Sequence, residues 1–223
     1  MGQSPDKDQK LHWDETYKME DFFGPKPSLF AEKSLEILKK EGVEVLLELG
    51  CGQGRDTWLF ARNGISVYAM DYSDQGICQM REKAKEHGVD KLITLKVRDV
   101  RRGIPLPDSS IDAIYSHMFF NMEFREEEMF GVFQECLRVL RPGGLNIYSV
   151  RSEHDPHYQK FTHLDEDMYQ NPMGFAVHFF TKEKIERLAD GYEIESITEF
   201  EDPDPPFIKM LYKVMLRKPQ SDA

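Results

Sequence analysis

Residues 43–71 constrain the chain more tightly than any other stretch. Val45, Leu46, Leu47 and Leu49 form a short apolar run of the kind that a strand buried on both faces requires. Gly50, Gly52 and Gly54 follow at once, and a helical pattern with Trp58, Leu59 and Ala61 begins directly behind them. Asn63-Gly64 ends that helix, since glycine is favoured just past a helix terminus. A second strand, Ile65 to Met70, then runs into Asp71. Each part has a physical task. Glycines without Cβ let the turn tighten and let a ligand approach the backbone. The helix start offers unpaired N–H groups to electron-rich ligand atoms. A carboxylate about 20 residues past the glycines can accept hydrogen bonds from both hydroxyls of a ribose. The unit reads as a site for a nucleoside-bearing cofactor; the alternative is an ordinary βαβ crossover whose glycines serve only the turn.

The glycine spacing narrows the cofactor. A dinucleotide fingerprint runs Gly-x-Gly-x-x-Gly, whereas this chain has Gly-x-Gly-x-Gly with Arg55 where the last glycine of that fingerprint would fall. The run Glu48-Leu49-Gly50-Cys51-Gly52-Gln53-Gly54 resembles motif I of the class I S-adenosylmethionine-dependent methyltransferases, and Leu140-Arg141-Pro142-Gly143-Gly144 resembles a second stretch of that family. The resemblance spans roughly residues 40–218. It implies a Rossmann-like α/β fold: a seven-stranded, mostly parallel sheet with an antiparallel C-terminal strand pair and helices on both faces. It also implies S-adenosyl-L-methionine as cofactor, held by Glu48, Gly50, Cys51, Gly52 and Gly54, by Asp71 with Tyr72, and by Asp99 with Val100 at the adenine. Ser116 and His117, in a stretch similar to motif IV, are placed beside the methyl group to be transferred. Within the family the compact size and Gly-Cys-Gly-Gln-Gly-Arg-Asp look most like the tellurite-resistance and thiopurine-type enzymes, so a small-molecule acceptor is implied.

Two residues are candidates for the chemistry itself. His117 has the side chain whose pKa lies nearest neutrality and can take a proton from a substrate; the alternative is a hydrogen-bonded structural histidine. Tyr17 belongs to an aromatic-dense segment with Trp13, Phe22, Phe23 and Phe30. That segment reads either as a helix covering a core edge or, by the Trp-x-x-x-Tyr pattern of the family, as a lid with Tyr17 nearest the cofactor. A ring face beside a sulfonium gains the attraction of other cation–π contacts. No enzymic base is evident, which leans towards a soft or acidic acceptor.

Composition sets the outer limits. At 223 residues the length suits one domain with a buried core. The expected division is a covering arm over 1–40, a cofactor-binding domain over 41–218 and a tail over 219–223. A net charge of −11 argues against nucleic-acid partners, which are gripped by Lys/Arg contacts to phosphate; the small cluster Arg98, Arg101, Arg102 does not change that. No apolar stretch is long enough to span a bilayer, and the first residues lack a signal-peptide core. Cys51, Cys78 and Cys136 are scattered and odd in number, so a reducing cytoplasm is expected.

The rest of the chain is read more coarsely. Residues 1–10 are polar and expected to be disordered. Amphipathic helices are expected over 28–40, 73–87, 125–140 and from Thr181, with strands at 92–97, 111–116, 145–150, 192–200 and 208–216. Pro142-Gly143-Gly144 is expected to break the chain between helix and strand. The stretch 151–180 reads as a polar substrate loop. Its His154, His157, His163 and His178 invite a metal reading, but His-x-x-His is not a helical i, i+4 pair and no Cys accompanies it, so no metal is expected. A catalytically silent cofactor-binding protein, and less favoured a nicotinamide-dependent oxidoreductase, are the alternatives to a methyltransferase. Oligomeric state is not legible.

Overall fold

The computed structural model describes residues 5–203 and 208–220; the expectations for residues 1–4, for 204–206 of the proline-rich connection and for 221–223 lie outside that range. The chain divides into two compact units, Met1–Arg102 and Gly103–Ala223.

The first unit opens with α1 (Pro5–Thr16), so residues 5–10, expected to be disordered, are helical. Lys10 explains part of the difference: its ammonium bonds Asp14 at 2.8 Å within the helix and Asp74 at 2.7 Å in a later one. Helix α2 (Leu29–Lys40) starts at Ser28, whose hydroxyl accepts the Ala31 N–H, and ends on Lys39 and Lys40, cations suited to a helix C-terminus. Strand β1 (Val45–Leu49), helix α3 (Arg55–Arg62) and strand β2 (Ser66–Asp71) follow as expected. Helix α4 (Asp74–Glu86) is capped by the Ser73 hydroxyl, which accepts the Gly76 N–H. Strand β3 (Ile93–Val97) completes a parallel set in the order β3-β2-β1, with Leu49 beside Met70 and Asp71 beside Val97.

The second unit is built on β5 (Leu140–Ser152), thirteen residues long. Strand β4 (Ile111–His117) runs parallel to it, and α5 (Glu126–Val139) leads into it. Pro142-Gly143-Gly144 was expected to break the chain between helix and strand, but α5 already ends at Val139 and the motif lies inside β5 at a register shift: Ile111 pairs with Leu140 and Ala113 with Leu145. A Cβ at Gly144 would stand 2.9 Å from the Asp112 carbonyl, so the glycine permits close strand approach. The loop before β4 is held by Arg138, which donates to the Ile104 and Leu106 carbonyls and to Asp108. Strands β9 (Glu193–Asp202) and β10 (Lys209–Arg217) form the expected antiparallel pair, with β10 antiparallel to β5.

The expected substrate loop is the main departure. Residues 162–180 contain β6 (Thr162–Asp165), β7 (Met168–Gln170) and β8 (Ala176–Phe180), before α6 (Lys182–Leu188). Strands β6, β7 and β8 are antiparallel neighbours, and β8 runs parallel to the end of β5 through Arg151↔Phe179 and Ser152↔Phe180. They pack their own cluster of Tyr169, Val177 and Phe179 with Tyr158 and Phe161. The architecture is thus α/β, with parallel strands in both units and antiparallel strands toward the C-terminus. Against the seven strands expected, ten are present among the described residues: β1–β5, β9 and β10 lie where strands were expected, and β6–β8 are additional.

Candidate cofactor site

The glycine loop of the first unit is shaped by backbone that only glycine adopts easily: Gly50, Gly52 and Gly54 have φ of 71°, 51° and 89°. A second constraint is space. A Cβ on Gly54 would stand 2.9 Å from the Trp58 ring, and one on Gly52 would stand 2.7 Å from the Tyr17 hydroxyl. Tyr17 therefore lies directly on the loop. Burial, and then the charge of Asp71, push its phenol well above the ordinary value, so it is a neutral donor.

Asp71 closes the loop from the end of β2. One carboxylate oxygen accepts the Gly52 N–H at 2.9 Å and the other the Ser73 N–H at 2.8 Å. Burial raises its pKa to about 6 against the pull of these donors. A carboxylate has about four acceptor sites, so capacity remains for ligand hydroxyls. Cys51 is a buried neutral thiol, pushed up by burial and by Asp71. Tyr72 lies half-buried between Asp71 and the Ser73 cap.

Other predicted residues have partners of their own. Glu48, buried in β1, accepts the Thr57 hydroxyl of α3 at 2.5 Å, and burial followed by Asp56 pushes its carboxyl up. Its observed contact is an anchor between strand and helix. Asp99 is adjacent to Arg98, whose N–H donates to the Asp71 carbonyl. Burial pushes the Asp99 carboxyl up, but Arg101 outweighs it and holds it low through donors at 3.0 and 2.9 Å. Val100 is buried beside it at the start of a short 3-10 turn.

Ser116 and His117 end β4 in the second unit. The Ser116 hydroxyl is buried with no hydrogen-bond partner among the described residues. His117 Nδ1 lies 2.6 Å from the Ser149 hydroxyl, which also accepts the Met118 N–H at 3.1 Å. The Ser149 hydroxyl can donate to Nδ1, which leaves the imidazole proton on Nε2 and makes His117 a donor, or accept a proton from Nδ1, which leaves Nε2 as the base. Met118 follows with φ 52°, a left-handed conformation unusual for a non-glycine residue.

Several residues that shape these regions were not singled out from the sequence. Asp56 accepts both the N–H and the hydroxyl of Ser28 at 2.7 and 2.8 Å, fixing α2 to α3. Gln53 and Gln79 hold the segment after α1, and Gly76 makes room for it. A glycine in the first turn of a helix was the available signal for the last. In the second unit Asn121, expected from the sequence at the C-terminal edge of the sheet with Phe119 and Phe120, accepts the Arg151 N–H with its side chain and the His178 N–H with its carbonyl. Among the described residues no group of three or more His, Cys, Asp or Glu could hold a metal, and no helix is long and apolar enough to cross a membrane.

Comparison with known proteins bears mainly on the central segment. Residues 46–144 match the family model described as a methyltransferase domain. The matched segment, less than half of the chain, is similar to that family. A probable S-adenosylmethionine-dependent methyltransferase of Mycolicibacterium smegmatis is 29% identical over 109 residues, 47% of this chain and 37% of that protein. A tRNA N(3)-methylcytidine methyltransferase of Schizosaccharomyces pombe is 25% identical over 189 residues, 78% of this chain and 61% of that protein. The chain thus spans less than two thirds of either curated relative. Among solved structures, a Methanosarcina mazei SAM-dependent methyltransferase superposes with a TM-score of 0.73 at 20% identity, over 83% of this chain and 98% of that one. The 1,6-didemethyltoxoflavin-N1-methyltransferase of Burkholderia thailandensis, with bound 1,6-didemethyltoxoflavin and S-adenosylhomocysteine, gives 0.71 at 17% identity, over 99% and 92%. At these identities the superpositions establish the fold. The segment matched by the family model contains the glycine loop, Asp71, Asp99, Ser116 and His117, and Tyr17 lies before it.

Proposed function

We propose that the chain binds S-adenosyl-L-methionine and transfers its methyl group to a small-molecule acceptor. The observation that carries this reading is the closed unit of glycine loop and Asp71 inside the segment matched by the family model. The loop offers a surface without side chains, and the buried acid faces it with acceptor capacity for the two ribose hydroxyls. Asp99 and Val100 flank the adenine in this reading, with Arg101 sharing the Asp99 carboxylate. The cofactor supplies a methyl group already activated by the sulfonium, so the protein's work is alignment and exclusion of water. Positioning of this kind can lower a barrier by about 7–11 kcal/mol in favourable cases. Tyr17 lies beside the loop as a neutral phenol and orients the reactants there; His117 serves the acceptor as a hydrogen-bond donor. Three free cysteines are in keeping with a reducing cytoplasm.

The test uses labelled cofactor with a panel of thiol, phenol, amine and metalloid acceptors, and with bulk tRNA. Transfer to a small acceptor supports the proposal. Transfer confined to tRNA replaces its acceptor with a nucleic acid, the second reading, which the tRNA methyltransferase relative favours and the net charge of −11 disfavours. Tight cofactor binding with silence across the whole panel supports a sensor instead. Thermal stabilisation by S-adenosylhomocysteine tests the shared premise, because a ligand that binds the native state raises the melting temperature.

A further inference from the structure

Gln53 occupies the variable position between two glycines of the loop, where the turn itself asks nothing of the side chain. Its amide is nevertheless fully engaged, and almost entirely with the segment after α1. Oε1 accepts the Phe22 N–H at 2.8 Å; Nε2 donates to the Met19 carbonyl at 2.8 Å and to Gln79 Oε1 at 2.6 Å. Gln79, from α4, then donates its own Nε2 to the Tyr17 carbonyl at 2.6 Å. The orientation of both amides is set by this chain of donors and acceptors, since flipping either would bring oxygen against oxygen. The Tyr17 and Met19 carbonyls lie just past α1, where a helix leaves carbonyls without intrahelical partners. Two glutamines from other elements satisfy them.

The consequence for Tyr17 is geometric. Its backbone is tied to α4 by Gln79, its hydroxyl stands over Gly52, and its ring passes 3.1 Å from where a Cβ on Gly76 would be. The same Gly52 gives its N–H to Asp71. Arg55 adds a tie from the first turn of α3, donating to the Phe23 carbonyl at 2.9 Å, and Lys83 pairs with Asp21.

We propose that Gln53 and Gln79 are positioning residues that seat Tyr17 on the glycine loop, so that docking of segment 17–23 and occupancy of the loop by cofactor strengthen one another. This rests on the cofactor reading above and adds to it a coupling between arm and loop. The coupling is reciprocal: if the ligand orders the arm, loss of the arm's latch weakens the ligand by the same factor.

The experiment is amide hydrogen exchange of the full chain with and without S-adenosylhomocysteine, together with ligand affinity, on the wild type, Gln53→Ala and Gln79→Ala. In the wild type the ligand is expected to slow exchange in residues 17–23 by about tenfold or more, the Phe22 amide included. In either glutamine variant that protection should fall below about twofold and affinity should drop by a similar factor, with far smaller change in exchange across β1 and β2. Tyr17→Phe retains the latch and should retain the protection. Ligand binding to the wild type with no protection of 17–23 overturns the coupling while sparing the cofactor reading. No ligand binding by folded wild type overturns both. Glutamine variants that bind with unchanged affinity overturn the positioning role, and the wild-type measurement stands even if a variant fails to fold.

Discussion

The glycine loop and the 162–180 strands are two ways of building a polar region on a parallel framework. The loop achieves it by removal: glycines strip away side chains, and one acid closes the gap. Its glycines and Asp71 fall within one strand-turn-helix-strand unit, so they stand close together in the sequence. The strands of 162–180 achieve it by addition, with side chains reaching across the second unit. Lys184 of α6 donates to Asp167 at 2.6 Å and to His178 Nε2 at 2.9 Å, and His178 Nδ1 lies 2.9 Å from the Phe124 carbonyl. An ammonium only donates, so Nε2 accepts and Nδ1 carries the hydrogen. What this teaches is that a site made of missing side chains announces itself in sequence, whereas one made of long-range pairing does not.

The largest expected effect lies in the loop. Asp71→Ala should abolish thermal stabilisation by S-adenosylhomocysteine and weaken its affinity by about a hundredfold or more, since hydrogen bonds to a charged group contribute about 1.5–3 kcal/mol each. His117→Ala should leave that affinity nearly unchanged; the opposite pattern, read by calorimetric titration, would refute the division of roles between the units. Next comes Lys184→Met, which leaves His178 and Asp167 without their shared donor. It should cost roughly 1–3 kcal/mol in chemical denaturation and leave ligand affinity alone. Gly52→Ala acts on both shape and conformation, with a Cβ 2.7 Å from the Tyr17 hydroxyl at a φ of 51°. About tenfold weaker ligand binding is expected, partly recovered in the double variant with Tyr17→Phe, because the colliding atom is then gone.

The smallest effect is a difference of sign with pH. Asp71 has a folded pKa raised to about 6 from 3.8, so the native state holds its proton longer. Its contribution to stability is present below pH 3.8 and is lost as pH rises through 6. His178, buried and facing Lys184, is lowered to about 4 from 6.5. Its contribution is present above pH 6.5 and is lost as pH falls towards 4. Hydrogen exchange resolved by unit should therefore show opposite slopes between pH 4 and 6. Ligand affinity should fall as pH drops through 6, and Asp71→Asn should flatten that dependence. Parallel slopes in the two units would show that neither group governs its own region.

The difference also accounts for what could be read in advance. Strands β1 to β5, β9 and β10 and the helices from α2 onward carry hydrophobic periodicity, cap residues or glycine stops, and each was visible. Asp71 stands out by its distance from the glycines, and Tyr17 by the Trp-x-x-x-Tyr pattern in an aromatic-dense segment. The strands of 162–180 were not: His163, Asp165, Glu166 and Asp167 alternate too weakly for a strand pattern, and their pairing depends on β8 meeting the end of β5. Residues 5–10 looked unstructured because Lys10 finds Asp74 sixty-four positions away. Gln53 was hidden by its own setting, since a polar residue between glycines reads as a turn residue until the partner segment is in view.

Residues 153–179 leave β5 after Ser152 and return at Phe180, and those two residues are register partners, with the Glu153 N–H donating to the Phe180 carbonyl at 3.0 Å. The excursion has a closed mouth. Because closing a longer or shorter loop changes entropy only slowly, this is a natural splice point. The piece could be exchanged for another of different length without redrawing the strands that hold it.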